Sequence, residues 1–94
     1  MAKVTVKFYS LWQVYAGSAS ITLEANSLSE ALEQVEQKFG ARIRDGLKSK
    51  GVELSGKIEE LSLVLLNSTN IKQLKDTVLK DGDVLHIMPP LAGG

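Results

Sequence analysis

The sequence has no cysteine, which excludes disulfides, a thiolate nucleophile and a sulfur-rich metal site. Any sulfur chemistry must therefore use sulfur brought by another molecule. A single histidine, His86, leaves a metal site to be built from carboxylates alone, and no acidic cluster is spaced for one. The N-terminus alternates valine with lysine and threonine and lacks the unbroken apolar stretch of a signal peptide or membrane span, so the chain is read as intracellular and cytoplasmic, with no membrane partner. Neither sign of charge prevails: eleven basic residues balance eleven acidic ones without a block of either. No nucleic-acid surface built on counterion release is expected from that pattern.

What is present suits a small folded body. An apolar fraction of 44% over 94 residues supplies one core and no room for a second. One domain, residues 1–94 with a tail from 89 to 94, is expected. Val4, Val6 and Phe8 alternate with Lys3, Thr5, Lys7 and Tyr9 as in a half-buried strand, and Ile21 and Leu23 repeat the pattern after a turn of small residues. The two strands are read as a hairpin, with Leu11, Trp12, Val14 and Tyr15 in the connection between them.

Ser27 or Ser29 is placed to cap a helix, and Glu30 three residues beyond Ser27 fits a capping box. Leu28, Ala31, Leu32, Val35 and Phe39 then form one apolar stripe, and Gly40 is read as the helix stop, so the helix is expected over 28 to 39. Glu30, Glu33 and Glu36, with Lys38, read as its solvated face. Residues 41 to 60 are expected to form loops and a short helical turn. The run Leu61 to Leu66 reads as a central strand, and a short edge strand is expected between Ile71 and Leu79. Asp81-Gly82-Asp83 reads as a turn, because flanking carboxylates would repel the phosphate that a glycine-rich loop cradles. The last strand is expected from Val84 to Met88, ended by Pro89-Pro90.

No catalytic constellation emerges. A nucleophilic serine needs a base and an orienting acid, His86 is the only imidazole, and no glycine-flanked nucleophile elbow surrounds any serine. The chain ends in Gly93-Gly94, residues without Cβ that let a narrow channel close around the backbone. If Leu85 and Ile87 face the helix, then Val84, His86 and Met88 face away, and Val64 and Leu66 are expected beside them as an apolar docking patch. Folding of loop 10–18 or loop 41–60 over that face is the alternative.

The stretch from Leu79 through Asp81-Gly82-Asp83, Pro89-Pro90 and Leu91 to Gly94 resembles the end of the small subunit of molybdopterin synthase and related carriers of the ThiS and MoaD type. The likeness extends over the first strand, the helix and the third strand up to Asn67. It implies an α+β, ubiquitin-like β-grasp fold, with a mixed sheet of four to five strands, one main helix across one face and a C-terminal tail. It also implies that Gly94 is adenylated by an E1-like enzyme and converted to a thiocarboxylate, with Gly93 as its flexible neighbour. The implied partners are that adenylating enzyme, a sulfur-donating enzyme and the synthase large subunit. ATP would be used by the activating partner, and the chain itself would bind no cofactor. The partner surface expected from the strand alternation and the segment after it comprises Val64, Leu66, His86, Met88, Pro89, Pro90 and Leu91. Val84 stands where family members often have an acidic residue, and His86 replaces a commonly small or apolar one. Two other readings stay open: a ubiquitin-like modifier joined through Gly94 to target lysines, and a plain interaction domain.

Overall fold

Alternation in the first seven strand residues sets the architecture. In the computed structural model, which describes residues 1–52 and 55–90, β1 (Ala2–Phe8) buries Val4, Val6 and Phe8 and leaves Lys3 and Lys7 exposed. Strand β2 (Ser20–Ala25) pairs with it antiparallel, Val4 opposite Leu23 and Val6 opposite Ile21, as the hairpin reading expects. Their connection is a helix, α1 (Ser10–Ala16), which puts Trp12 and Ala16 into the core. The indole Nε1–H of Trp12 donates to Ser62 Oγ at 2.6 Å inside that core.

Helix α2 (Leu28–Val35) starts at Ser27, whose hydroxyl accepts from the Glu30 amide at 3.3 Å. Leu28, Ala31, Leu32 and Val35 are buried against the sheet, and Phe39 meets Phe8 edge to face at 5.0 Å. The expected stop at Gly40 is absent. The chain passes through a π-helical turn (Glu36–Gly40) straight into α3 (Ala41–Ser49), with Gly40 right-handed at φ −54° and ψ −49°.

Gly40 serves another purpose: a Cβ there would lie 2.0 Å from Oε2 of Glu36. The carboxylate fills the missing side chain's space, accepting from Arg44 Nη2 at 2.8 Å and Nη1 at 3.0 Å, and from the Ile58 amide at 2.8 Å. Hydrogen bonding from the Arg44 guanidinium, and then from the Ile58 amide, holds the Glu36 carboxyl below its ordinary range against the opposing effect of burial. Glu36 therefore belongs to a bridge between α2, α3 and α4, not to the solvated face expected of it. Glu33 does face solvent.

Residues 41 to 60 hold more helix than expected. In α3, Ile43 and Leu47 are buried one turn apart, and Ile58 anchors the short α4 (Ile58–Leu61). Strand β3 is thereby confined to Leu63–Leu66. The expected edge strand between 71 and 79 does not form: that segment holds a single 3₁₀ turn (Ile71–Gln73) and one bridge between Val78 and Ser27, and the edge strand β4 lies just before it at Thr69–Asn70. After a turn with Gly82 at φ +90° comes β5 (Val84–Met88).

Among the described residues these five strands form one mixed sheet in the order β2-β1-β5-β3-β4, with β5 parallel to β1 and antiparallel to β3 and β4 at the β3 edge. Leu85 and Ile87, fully buried under the helices, contribute about 1.5–3 kcal/mol each by leaving water. The fold is β-grasp, as the solved relatives below also show. Among the described residues no helix is long and apolar enough to cross a membrane.

Candidate functional site

Strand β5 has neighbours on both sides, so its alternation decides what the outer face of the sheet displays. Leu85 and Ile87 point into the core, which turns Val84, His86 and Met88 outward. Directly opposed antiparallel residues share a face, and the register pairs Leu65 with His86 and Leu63 with Met88. The outward companions from β3 are therefore Leu63 and Leu65, each half-buried.

This corrects the expected docking patch. Val64 pairs with Ile87 and Leu66 with Leu85, and both are core residues at 2% and 6% exposure. Neither is available to a partner. The run Leu61 to Leu66 is apolar at nearly every position, so alternation alone leaves its parity open. Two contacts settle it: α4 takes up the run's first residue, and Ser62 turns inward to the Trp12 indole.

At the end of the outer face the chain forms an open groove of about 860 Å³, whose apolar walls are Leu11, Leu65, Met88, Pro89 and Pro90. Leu11 is 50% exposed, while Trp12 and Ala16 of the same helix are buried. Ser10 begins α1 in the left-handed region at φ +54°, just after the Tyr9 amide donates to the Ile87 carbonyl at 3.1 Å. That sharp corner lifts Leu11 beside the exit of β5, so segment 10–18 rims the groove without burying the face.

The groove's polar floor is one contact, Tyr9 OH to His86 Nδ1 at 2.6 Å. His86 thus engages a phenol, not a serine or a carboxylate, and nothing in that arrangement prepares a nucleophile. Asn67 holds the far side. It sits at φ +55°, donates its amide N–H to the Val84 carbonyl at 2.7 Å and accepts from the Val84 amide through Oδ1 at 3.0 Å. Its side chain so extends the ladder past the end of β3.

Among the predicted site residues, His86, Met88, Pro89 and Pro90 come together at this groove. Leu91, Gly93 and Gly94 lie outside the described residues. Leu63, Leu65 and Leu11 belong to the surface and were not anticipated; pairing of β3 against β5 was the missing information. No group of three or more His, Asp or Glu side chains able to hold a metal ion occurs among the described residues.

A family model described as the ThiS family matches residues 8–94. No curated protein matches the chain in sequence. The solution structure of small archaeal modifier protein 1 from Methanosarcina acetivorans is similar at 28% identity and a TM-score of 0.70, covering 100% of this chain and 98% of that one. Two further structures share the fold. A Pyrococcus furiosus protein named for molybdopterin converting factor subunit 1 has 20% identity and a TM-score of 0.63, over 97% of this chain and 100% of that one. A chain of the Amycolatopsis orientalis BexX/CysO complex has 24% identity and a TM-score of 0.62, over 97% and 99%. With a family model spanning nearly all of its residues, this chain belongs to the ThiS family.

Proposed function

We propose that the chain is a sulfur carrier that works through Gly94 and possesses no active-site pocket of its own. A Gly94 carboxylate oxygen attacks the α-phosphorus of ATP held by an E1-like adenylating enzyme, and pyrophosphate leaves. Hydrosulfide-level sulfur from a sulfur-donating enzyme then displaces AMP from the acyl carbon, forming the C–S bond of a thiocarboxylate. The sulfur passes on to a precursor held by a molybdopterin synthase large subunit, and water restores the carboxylate. ATP belongs to the activating partner, and this chain binds no cofactor.

One observation carries this reading: the half-buried apolar face of Leu63, Leu65 and Met88 ends where β5 runs into Pro89-Pro90. A partner seated there would hold the body while taking the residues that follow. Membership of the ThiS family supports it.

The test mixes the purified chain with ATP, the adenylating enzyme of its own organism and a sulfur source. Intact mass should rise by the difference between sulfur and oxygen, and removal of Gly93 and Gly94 should abolish the change. An unchanged mass with an enzyme active on its usual carrier would refute the proposal.

A second reading is favoured by the likeness to small archaeal modifier protein 1: the activated Gly94 would pass to lysines of other proteins. It predicts adducts on gels that disappear without Gly94, and no stable thiocarboxylate.

A further inference from the structure

His86 is a polar group set in an apolar frame, and Tyr9 determines which of its nitrogens carries the hydrogen. The Tyr9 hydroxyl lies 2.6 Å from Nδ1, a full-strength hydrogen bond. The rings are 5.7 Å apart and tilted by 31°, so the contact is made through the hydroxyl and not by stacking. Among the described residues Tyr9 OH has no other partner. A phenol O–H is a far better donor than a neutral imidazole N–H, which favours the tautomer with Nδ1 as the acceptor and the neutral ring's hydrogen on Nε2.

Nε2 has no hydrogen-bond partner among the described residues. It is also not sealed away, since the one buried side-chain polar atom left unpartnered among them is the Tyr15 hydroxyl. Nε2–H therefore opens to solvent beside the groove. In the β1–β5 ladder Lys7 is the register partner of His86, on the same outward face and exposed. The other charges on this face are farther along the strands: Lys3 is paired across from Glu24, and Asp83 lies before the start of β5. The groove's remaining lining residues are uncharged.

An N–H donor whose register partner is a lysine, framed by Leu65 and Met88, selects for an anionic acceptor. We infer that the protein covering this face places an Asp or Glu carboxylate against His86 Nε2–H and Lys7, with apolar side chains over Leu65 and Met88. Tyr9 is the positioning residue and His86 the specificity-determining one. A partner lacking the acceptor would bury Nε2–H unpaired, a penalty large enough to discriminate between partners. The inference rests on the functional reading above and takes the adenylating enzyme as the partner that covers this face.

Two measurements test it. A long-range ¹H–¹⁵N spectrum of the single histidine, recorded with the ring in its neutral form, should show Nε2 protonated and Nδ1 unprotonated. Tyr9→Phe should shift the Nδ1 resonance as its donor is lost. A ring protonated on Nδ1, or an Nδ1 signal indifferent to Tyr9→Phe, overturns the tautomer argument and the inference with it. In steady-state adenylation, His86→Leu should raise KM about tenfold with kcat little changed, because the carboxylate then lacks its donor. Lys7→Met should raise KM about threefold. His86→Gln, which keeps an N–H donor, should recover most of the loss. An unchanged KM for His86→Leu, with the wild-type chain turning over normally, overturns the inference alone. Absence of wild-type adenylation overturns the functional reading, and the acceptor inference falls with it.

Discussion

The Glu36 carboxylate occupies the space that a side chain at Gly40 would need, its Oε2 standing 2.0 Å from where that Cβ would be. A local helical rule is overruled here by a tertiary contact, since alanine would otherwise be preferred to glycine by up to about 1 kcal/mol.

Gly40→Ala should therefore destabilise the fold. Expelling the carboxylate costs the Arg44 bonds and leaves the half-buried Ile58 amide without its acceptor, for a net loss of about 1–2 kcal/mol after the helical gain. In a Glu36→Ala background the same substitution should become neutral or stabilising. Chemical denaturation of the four variants in a double-mutant cycle checks both signs.

Acid should act through the same carboxylate. Its charged form is favoured by Arg44 and then by the Ile58 amide, so its folded value lies below the unfolded one. The stability it contributes is complete above the unfolded value and is lost as pH falls through the folded value. Urea titrations should show a gap between wild type and Glu36→Gln that is constant from neutral pH down to the ordinary glutamate range and shrinks at lower pH. A gap that persists unchanged into strong acid contradicts this account.

Ser62→Ala should cost about 1–3 kcal/mol, because the buried Trp12 N–H at 2.6 Å loses its acceptor. Ser62→Thr keeps a hydroxyl but adds a methyl to a closed site, so it should recover the loss only in part. Thermal unfolding of the two variants ranks them.

Neighbouring leucines on β3 should separate folding from docking. Leu66→Ala removes a core side chain, exposed by only 6%, and should cost about 2–5 kcal/mol. Leu65→Ala, on the outer face opposite His86, should cost under about 1 kcal/mol yet raise the KM for adenylation. If Leu65→Ala unfolds the chain while Leu66→Ala does not, the assigned facing of β3 is wrong.

Much of this architecture could be read from pattern because single elements carry strong signals. β1 alternates without exception, Ser27 caps where a serine should, and β5 is bounded by a glycine turn and a diproline. Three features were hidden for physical reasons. Helix α1 begins at a left-handed serine with no side-chain cap, so nothing in Ser10 to Ala16 announces a start. Helix α3 buries only Ile43 and Leu47 among charged residues and a glycine, a stripe too thin to stand out. The facing of Leu63 to Leu66 depends on pairing with a strand some twenty residues later, and parity in an all-apolar run has no local record. The groove shares that origin: Tyr9 and His86 are 77 positions apart, and only the parallel β1–β5 ladder brings them together.

The pairing of Val6 with Leu85 bears on how the molecule comes into being. The strand at the middle of the sheet is the last of the five to be synthesised, so β1 and β3 each wait with one bare edge until it arrives. Until residue 88 is free of the ribosome the body cannot close, and contacts of such long range make closure slow. A chain cut short upstream of β5 would expose two unpaired apolar edges, the kind of surface that chaperones and proteases capture. Closure of the sheet thus depends on a strand that begins only at Val84, after the other four have been made.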